Sequence, residues 1–378
     1  MNEETNLKGI TVVALEQAVA APYASGRLAE EGARVIKIER PEGDFARHYD
    51  KAVKNQSAYF VWLNAGKESI SLNLKTSEDR QIIERMLKKA DVFIQNLSPK
   101  ALDRLNLDLE GQRKSNPGLI TCSINGYGSE GLYKDKKAYD LLVQAESGLC
   151  SVTGIGEQLT RVGVSVSDIA AGMNAYQEIL LALFRRERDP QKKGSGINVS
   201  LFHSTTDWMN VPYLQYKYGN ESPVNQGLSH PTIAPYGAYK CKNGQDILFS
   251  IQNDREWRNF CEAVMEKPSL KTRKEFSNNT ERVRNRKELD RIISDAFFLC
   301  DPETIISRLD SAGIAFGRLN DVSELDQHPQ IRFRNIATSQ GKITMLGRGA
   351  TKENYPKEHL KIPEINEHGK RLRDEFGQ

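Results

Sequence analysis

Short apolar stretches recur along the first third of the chain. Residues 10–16 and 33–39 are rich in β-branched side chains, and polar and apolar positions alternate with a period of two over residues 69–74. Two further apolar stretches lie at residues 91–97 and 119–125. Each of the five stretches has the length and composition that predict a β-strand.

Amphipathic segments separate these predicted strands. We expect a helix between Pro22 and Gly32, because proline suits the first turn of a helix and glycine the position just after the last turn. Residues 76–90 repeat apolar side chains at intervals of three and four, which predicts a second helix. Because strands that alternate with helices form βαβ units, we predict an α/β fold whose large domain contains an open, Rossmann-like parallel sheet.

The longest amphipathic segment comes later in the chain. Over residues 168–186, apolar side chains repeat at the helical spacing, and Ser167 is the expected N-cap. Residues 194–202 follow a basic turn and predict one more strand.

A change in composition suggests where the domains divide. Trp, Tyr, Asn and Pro become more frequent after about residue 205, and this part has its own predicted strand at residues 246–251, followed by two helices. We therefore assign residues 1–205 to the first part of the large domain and residues 206–325 to a smaller α+β domain with its linkers. Residues 326–378 are expected to return and complete the large domain.

Composition and charge exclude several classes of protein. Of the 378 residues, 38% are hydrophobic and 27% charged, which is typical of a globular protein with a sizeable core. The net charge of +3 is too small for a nucleic-acid-binding protein, which needs clustered phosphate contacts. The acidic amino terminus lacks a signal peptide's apolar core, and no stretch approaches the roughly 18–20 apolar residues that span a membrane. We expect a cytoplasmic protein with neither nucleic acid nor membrane as a partner.

The common cofactor and metal motifs are missing from the sequence. The five cysteines include no C-x-x-C pair and the six histidines have no metal-ligand spacing, so we expect a reducing compartment and no metal site. The first strand–helix turn, residues 17–23, lacks the G-x-G-x-x-G pattern of a dinucleotide site. Because no Walker A, G-x-S-x-G or H-E-x-x-H motif occurs either, we expect no permanently bound cofactor.

An ordered series of segments is more specific than any of these motifs. Together the segments resemble the family III CoA-transferases, which include formyl-CoA:oxalate and carnitine CoA-transferases. The segments run in order through LKGITVVALEQAVAAPYASGRLAEEGARVIKIERPEGD, GKESISLNLKTSEDRQII, ADVFIQNLSPKALDRL, ITCSINGYGSEG, KAYDLLVQAESGL, RVGVSVSDIAAGM and GSGINVSLF, and two later ones are IAPYGAYK and DSAGIAFGRLNDV.

The resemblance implies an activity and an assembly. A member of this family exchanges CoA between an acyl-CoA and a small carboxylic acid, so coenzyme A would be part of the substrates. The family forms homodimers of two interlocked ring-shaped chains, each with a large α/β domain and a smaller one. We therefore expect an interlocked homodimer.

The resemblance also assigns a nucleophile. The family's catalytic aspartate lies in a G-x-x-x-x-D-x-x-x-G pattern, which here runs from Gly163 to Gly172 and assigns the role to Asp168. Independently, a carboxylate in the first helical turn gains about 0.3–1 kcal/mol from the helix dipole. The alternative is that Ser167 and Asp168 only cap the helix. A reference pKa near 3.9 leaves Asp168 ionised at neutral pH unless burial raises that pKa by about three units.

Six positions match the places where the family contacts CoA. Three of them, Arg40, Lys75 and Asn96, lie at the carboxyl ends of successive predicted strands, where open α/β sheets bind ligands. For the basic residues, the alternative is an ordinary solvated charge. The six positions are Arg40, Leu72, Lys75, Asn96, Arg104 and Lys137.

Tyr139 distinguishes this chain from a related class of enzymes. The α-methylacyl-CoA racemases of the superfamily have a histidine base directly before the aspartate that corresponds to Asp140. Tyrosine, with a pKa near 10, is a poor base at neutral pH. We therefore expect Tyr139 and Asp140 to line the acyl pocket, with a buried core tyrosine as the alternative.

Two departures from formyl-CoA transferase concern the substrate. Val19 occupies the place of a glutamine, and residues 227–230 replace a tetraglycine loop. His230 and Arg47 are candidates to bind a substrate carboxylate, whereas the alternative for His230 is a surface loop. We predict a transferase for C4–C5 dicarboxylates, with succinyl-CoA as donor and mesaconate, citramalate or itaconate as acceptor. The alternatives are a racemase, a formyl- or oxalyl-CoA transferase and a non-catalytic acyl-CoA-binding protein.

Overall fold

A computed structural model describes residues 5–219, 225–351 and 360–377. The strands are β1 (Thr11–Leu15), β2 (Arg34–Glu39), β3 (Glu68–Ser71), β4 (Val92–Gln95), β5 (Ile120–Asn125), β6 (Gly154–Ile155), β7 (Gln158–Leu159), β8 (Gly196–Ser200), β9 (Tyr236–Lys240), β10 (Asp246–Ser250), β11 (Phe316–Arg318), β12 (Phe333–Thr338) and β13 (Gly341–Leu346).

The helices alternate with these strands in the first half of the chain. The α-helices are α1 (Ala20–Glu30), α2 (Ala58–Leu63), α3 (Ser77–Lys89), α4 (Pro99–Arg104), α5 (Leu109–Ser115), α6 (Asp140–Glu146), α7 (Leu149–Val152), α8 (Val166–Arg188), α9 (Leu201–Trp208), α10 (Asn210–Gly219), α11 (Asp254–Asn259), α12 (Asn279–Arg284), α13 (Arg286–Phe297), α14 (Pro302–Ser311) and α15 (Gly369–Phe376). Short 3₁₀-helices span Phe45–His48, Pro268–Thr272, Lys274–Phe276 and Val322–Gln327, and a π-helix spans Phe260–Val264.

The chain forms two compact units. The first comprises Met1–Leu149, Arg161–Val211 and Arg332–Gln378, and the second Cys150–Thr160 and Pro212–Ile331. These limits differ from the predicted divisions after residues 205 and 325. The main difference is the short excursion that contains β6 and β7: the Gly154 carbonyl accepts a hydrogen bond from the Gly227 amide, which ties this hairpin to the second unit.

A six-stranded sheet forms the centre of the first unit. Its strand order is β3-β2-β1-β4-β5-β8, and every neighbouring pair is parallel. The order changes direction between β1 and β4, so the loops after these two strands diverge. Such a point leaves a crevice at the carboxyl ends of the strands, where open α/β sheets bind ligands.

Both faces of this sheet are buried. Val12 and Ala14 pack into one core with α1 and α8, whereas Val13 and Leu15 pack into another core with α3. A strand that is covered on both faces needs apolar residues at successive positions, which explains the continuous apolar stretches of the sequence. A mixed α/β unit with a large parallel sheet is thereby confirmed.

One glycine brings the start of α8 close to the start of α1. A Cβ atom at Gly172 would lie 2.7 Å from the Ala20 carbonyl oxygen and 2.9 Å from the Tyr23 Cβ. Any larger residue would therefore push the two helices apart. Because Gly172 follows Asp168 by one turn of α8, this close approach also fixes Asp168 near the loop between β1 and α1.

The long helix was expected over residues 168–186 with Ser167 as its N-cap. The helix instead spans Val166–Arg188, with Ser165 at the N-cap position and no capping bond from the Ser165 side chain. Ser167 lies inside the first turn, and its buried hydroxyl has no hydrogen-bond partner among the described residues. The expected cap was therefore wrong.

The second unit has its own small sheet and core. β9, β10 and β11 pair antiparallel in the order β11-β10-β9, and apolar side chains of the surrounding helices pack against them. Across the described residues of both units, no helix combines the length and the apolar character that a membrane crossing needs.

Candidate functional site

A cleft of about 470 Å³ lies at the crevice of the parallel sheet. The loops after β1, β4 and β5 form part of its wall, together with the residues around the start of α6 and the start of α8. Its lining includes Gln17, Ala18, Val19, Tyr49, Tyr59, Asn96, Asn125, Lys136, Lys137, Tyr139, Asp140, Arg161, Ser165 and Asp168.

The loop after β1 is held from two directions. The side-chain amide of Asn96 accepts a hydrogen bond from the Gln17 amide at 2.9 Å and donates one to the Gln17 carbonyl at 2.7 Å. The Asp44 carboxylate accepts a hydrogen bond from the Ala18 amide at 3.2 Å. Ala18 has a φ of +61°, a left-handed conformation that costs a non-glycine residue about 1–2 kcal/mol. The two clamps therefore hold a strained loop in the wall of the cleft.

A buried ionic network supports Asp44. Lys37 lies between the Asp44 and Glu16 carboxylates, at 2.9 and 3.4 Å, and Lys67 contacts Glu16 at 2.7 Å. The side chains of Lys37, Glu16, Asp44 and Lys67 are fully excluded from solvent. Such charges are tolerated only when each has a partner, and here every one of the four has at least one.

The pKa values of this network reflect those partners. Burial alone would raise the pKa of Glu16, but the positive charges of Lys67 and Lys37 outweigh it and leave the pKa lowered. Burial would lower the pKa of Lys37, yet the carboxylates of Glu16 and Asp44 raise it. At Lys67, burial dominates and lowers the pKa to about 8.

Asp140 caps the helix that carries Asp168. One oxygen of its carboxylate accepts hydrogen bonds from the Ser167 and Asp168 amides, at 2.8 and 3.3 Å. The other oxygen accepts a bond from the Gln144 side chain at 2.7 Å. Hence Asp140 satisfies the free amides at the start of α8, and the alternative in which Ser167 and Asp168 provide the cap was wrong.

Asp168 is half-buried in the first turn of α8 and lines the cleft. Among the described residues, none donates a hydrogen bond to its carboxylate or forms an ion pair with it. Burial, and to a smaller extent the charge of Asp140, raise the pKa of Asp168 to about 7. The raised pKa places the change between the neutral and the ionised form of this carboxyl group near neutral pH.

Aromatic side chains line the same cleft. The rings of Tyr49 and Tyr59 meet edge to face at 5.5 Å, and the Tyr59 hydroxyl lies 3.2 Å from the Ser165 Oγ. Burial and the charges of Asp44 and Asp168 raise the pKa of Tyr49 to about 12, so its hydroxyl keeps its proton. These phenols offer hydrogen-bond donors and apolar surface. Across the described ranges, no group of three or more His, Cys, Asp or Glu side chains could hold a metal ion.

The structure brings together six of the residues that the sequence singled out. Tyr139 is 67% exposed and is therefore not a core tyrosine, whereas Val19 is buried in the wall. Asn96 contacts the Gln17 backbone with both ends of its amide, so it positions the loop. The six lining residues are Val19, Asn96, Lys137, Tyr139, Asp140 and Asp168.

Four of the predicted CoA contacts lie outside the lining of this cleft. Leu72 is buried in the core beneath the sheet. Arg40 and Lys75 follow β2 and β3, and Arg104 ends α4; all three are exposed. Within the described ranges none of these three side chains has an ion-pair partner.

Neither candidate for a substrate carboxylate lies in the cleft lining. All three guanidinium nitrogens of Arg47 are used, by the Glu39 carboxylate at 2.7–2.8 Å and the Pro363 carbonyl at 3.2 Å. Arg47 is thus an internal partner, a correction to its expected role. His230 belongs to the second unit, where its ring stacks on Tyr236 and accepts a bond from the Thr232 amide.

Sequence reasoning missed several lining residues. Arg161 is part of the RVGVSVSD segment, but nothing in its local pattern distinguishes it from the other basic residues. Tyr49 and Tyr59 lie in a stretch without a recognisable period, and the strain at Ala18 has no signature in the sequence. Asp44 follows Gly43 in a turn, and its role depends on Lys37, which reaches it only in the folded chain.

Comparisons with known proteins show which family the chain belongs to. A model of CoA-transferase family III matches residues 7–368. The acetyl-CoA:oxalate CoA-transferase of Acetobacter aceti is 35% identical, with 97% of this chain and 95% of the relative covered. The succinyl-CoA:mesaconate CoA-transferase of Haloarcula hispanica is 30% identical, with 98% and 96% covered. A crystal structure of a CaiB/BaiF family protein from Brucella suis superposes with a TM-score of 0.83 at 30% identity, covering 99% of this chain and all of that one. The chain belongs to CoA-transferase family III and is an enzyme that transfers CoA.

Proposed function

We propose that the protein is an acyl-CoA:carboxylate CoA-transferase that uses Asp168 as its nucleophile. The observation that carries this proposal is a carboxylate without a partner among the described residues, in the cleft at the carboxyl edge of the sheet. Every other acidic side chain that lines the cleft has a hydrogen-bond or ion-pair partner. Charged groups that lack such a partner are costly and gather at functional sites.

The reaction is a covalent relay in which one thioester replaces another. The Asp168 carboxylate attacks the thioester carbonyl of the donor, which forms an acyl-aspartyl anhydride and releases the CoA thiolate. The thiolate then attacks the aspartyl carbonyl, which releases the donor acid and leaves an aspartyl-CoA thioester. An acceptor carboxylate attacks that thioester, and the two steps run in reverse. Because thioesters are exchanged, the overall free energy change is small.

The environment of Asp168 suits these steps. A carboxylate in a partly dry cleft is less hydrated than one in water, which strengthens its electrostatic interactions and limits hydrolysis of the intermediates. The same burial reduces the ionised fraction, since the pKa is about 7. The hydroxyl of Tyr49, which lines the cleft and keeps its proton, is available to stabilise a developing oxyanion.

Basic residues with no described partner would bind the nucleotide end of CoA. Lys137 lines the cleft, and Arg40, Lys75 and Arg104 are exposed on the same unit. Charge-assisted contacts to phosphate oxygens suit such side chains. Asn96 would act indirectly, through the Gln17 backbone.

For substrates we propose dicarboxylic acids. C4–C5 dicarboxylates with succinyl-CoA as donor follow from the resemblance, and the succinyl-CoA:mesaconate relative supports this assignment. The acetyl-CoA:oxalate relative, at 35% identity, favours a second candidate, transfer to oxalate. In either case the acceptor carries a second carboxylate that does not react.

An interlocked homodimer remains part of the proposal. None of the residues of α10 is buried, although this helix carries five large apolar side chains. Apolar surface of this kind is typical of protein–protein contacts. A mass of twice 42.6 kDa by sedimentation would support the dimer, and a monomer would contradict it. The five side chains are Val211, Tyr213, Leu214, Tyr216 and Tyr218.

Substitution of Asp168 tests the proposed function. Asp168→Ala should abolish transfer in a donor-by-acceptor screen, because the nucleophile is gone, while CoA still binds in isothermal titration. Glu110→Ala, which removes an exposed carboxylate from the first turn of α5, is the matched control and should keep full activity. An active Asp168→Ala enzyme would contradict the mechanism.

A further inference from the structure

The cleft contains three acidic and three basic side chains. Half of them are already held by a neighbour. Asp135 pairs with Lys100 at 3.4 Å, Lys136 with Glu146, and Asp140 is held by Gln144 and the helix amides. The six side chains are Asp135, Asp140, Asp168, Lys136, Lys137 and Arg161.

Besides Asp140, three charges remain without an ion-pair partner in the part of the chain that the structure describes. They are Asp168, Lys137 and Arg161. Arg161 is exposed, and its guanidinium makes only a long contact of 3.4 Å with the Gly163 carbonyl. Among the described residues, most N–H donors of the Arg161 guanidinium, which is planar and permanently charged, are therefore free in the cleft that contains Asp168.

A hydrogen-bond chain links the backbone beside Arg161 to the backbone of Asp168. The amide of Val162, the next residue, donates to the Gln144 side-chain oxygen at 2.9 Å. Gln144 donates in turn to Asp140, whose other oxygen accepts from the Asp168 amide. The segment that carries Arg161 is thus fixed to the same scaffold as Asp168.

We propose that Arg161 binds the unreacted carboxylate of the dicarboxylic substrate and so selects dicarboxylates over monocarboxylates. The inference rests on the proposed function. When one carboxylate of the substrate reacts with Asp168, the other stays ionised and enters a partly dry cleft, where it needs a cation. A guanidinium pairs with a carboxylate through two parallel hydrogen bonds, which an ammonium group cannot reproduce. Lys137, by contrast, is assigned to CoA. Its contact should therefore contribute equally to all acyl-CoA substrates.

The experiment compares each dicarboxylic acceptor with a monocarboxylic acid of equal length. The pairs are succinate with butyrate, glutarate with valerate, and oxalate with acetate. For Arg161→Gln, kcat/KM should fall about 10- to 100-fold for the dicarboxylate that the wild-type enzyme uses, as expected for a lost charged hydrogen bond. The value for its monocarboxylate should not fall. Arg161→Lys should recover only part of the loss. Lys137→Gln should lower kcat/KM by the same factor for the dicarboxylate and the monocarboxylate of a pair.

The possible outcomes distinguish the role of Arg161 from the proposed function of the enzyme. Equal losses for both acids in Arg161→Gln, or no loss, would overturn the role of Arg161 while Asp168 is still labelled during turnover. Wild-type enzyme that transfers CoA but does not discriminate within any pair would overturn it as well. If the wild-type enzyme transfers CoA to no acid and Asp168 stays unlabelled, the proposed function fails, and this inference fails with it.

Discussion

A buried network of four charged side chains and a single carboxylate, that of Asp168, adjoin the loop at residues 17–20. They differ in whether their charges have partners. In the buried network, every charge of Glu16, Lys37, Asp44 and Lys67 has an oppositely charged neighbour within hydrogen-bonding distance or close to it. Asp168, on the cleft side of the same unit, has no partner in the described part of the chain. Every charge of the network has a partner although the network is fully excluded from solvent. The Asp168 carboxylate has none among the described residues although it is only half-buried.

Under the proposed function, this difference separates charges that hold the structure from the one that reacts. A paired, buried network fixes geometry, and here Asp44 uses it to hold the Ala18 amide. An unpaired carboxylate destabilises the fold, and this cost is typical of a group that has to react. The predictions below separate the two roles, from the largest expected effect to the smallest.

Removal of one charge from the network should cause the largest loss of stability. Lys37→Met leaves Asp44 buried without its cation, and breaking a buried pair costs about 3–5 kcal/mol. Urea unfolding would measure the loss. Lys114→Met, which breaks the exposed pair with Glu110, is the control and should leave the free energy of unfolding nearly unchanged. Equal effects of the two substitutions would contradict the structural role of the network.

Asp168→Asn should stabilise the protein, and more so at pH 8 than at pH 5. The folded-state pKa of about 7 lies above the ordinary 3.8, so the stability that the neutral carboxyl provides is complete only below about pH 3.8. It is lost as the pH rises from there through 7, by at most about 4 kcal/mol over the whole range, so part is already lost at pH 5 and all of it at pH 8. Urea unfolding of both proteins at the two pH values measures this. If Asp168→Asn raises the free energy of unfolding equally at both pH values, the pKa of Asp168 is not raised in the folded protein.

Ala18→Gly should make the enzyme more stable but less active. Glycine adopts the φ of +61° without strain, so the free energy of unfolding should rise by up to about 1 kcal/mol. The freed loop should lower kcat/KM several-fold. Asn106→Gly, at an exposed residue with a φ of +54°, is the control and should leave kcat/KM unchanged. Undiminished activity of Ala18→Gly would show that the strained loop is not needed.

Asp140→Asn should shift the pH dependence by a small amount. The wild-type kcat/KM should fall tenfold per pH unit below about pH 7, because in the proposed mechanism only ionised Asp168 attacks. Since burial is the larger cause of the raised pKa, removal of the Asp140 charge should move this acidic limb down by less than about one pH unit. In Asp135→Asn, which removes another charge that lines the cleft, the limb should stay in place. An unchanged limb in Asp140→Asn would exclude Asp140 as a cause.

The sequence predicted helices and strands far better than it predicted which side chains contact each other. All six strands of the parallel sheet overlap predicted strands, and the apolar stretches of the central ones reflect burial on both faces. The cap of α8 was missed because Asp140 provides it from 27 and 28 residues away. Arg47 was assigned to a substrate because Pro363, which accepts its hydrogen bonds, is 316 residues distant. Which charge meets which is decided by tertiary contacts, and these leave no local pattern.

The central claim is that Asp168 is acylated in every turnover. Enzyme incubated with a donor acyl-CoA and then quenched with hydroxylamine or borohydride should yield a peptide that carries the modification on Asp168 in mass spectra. Turnover that proceeds normally while this residue stays unmodified would contradict the account.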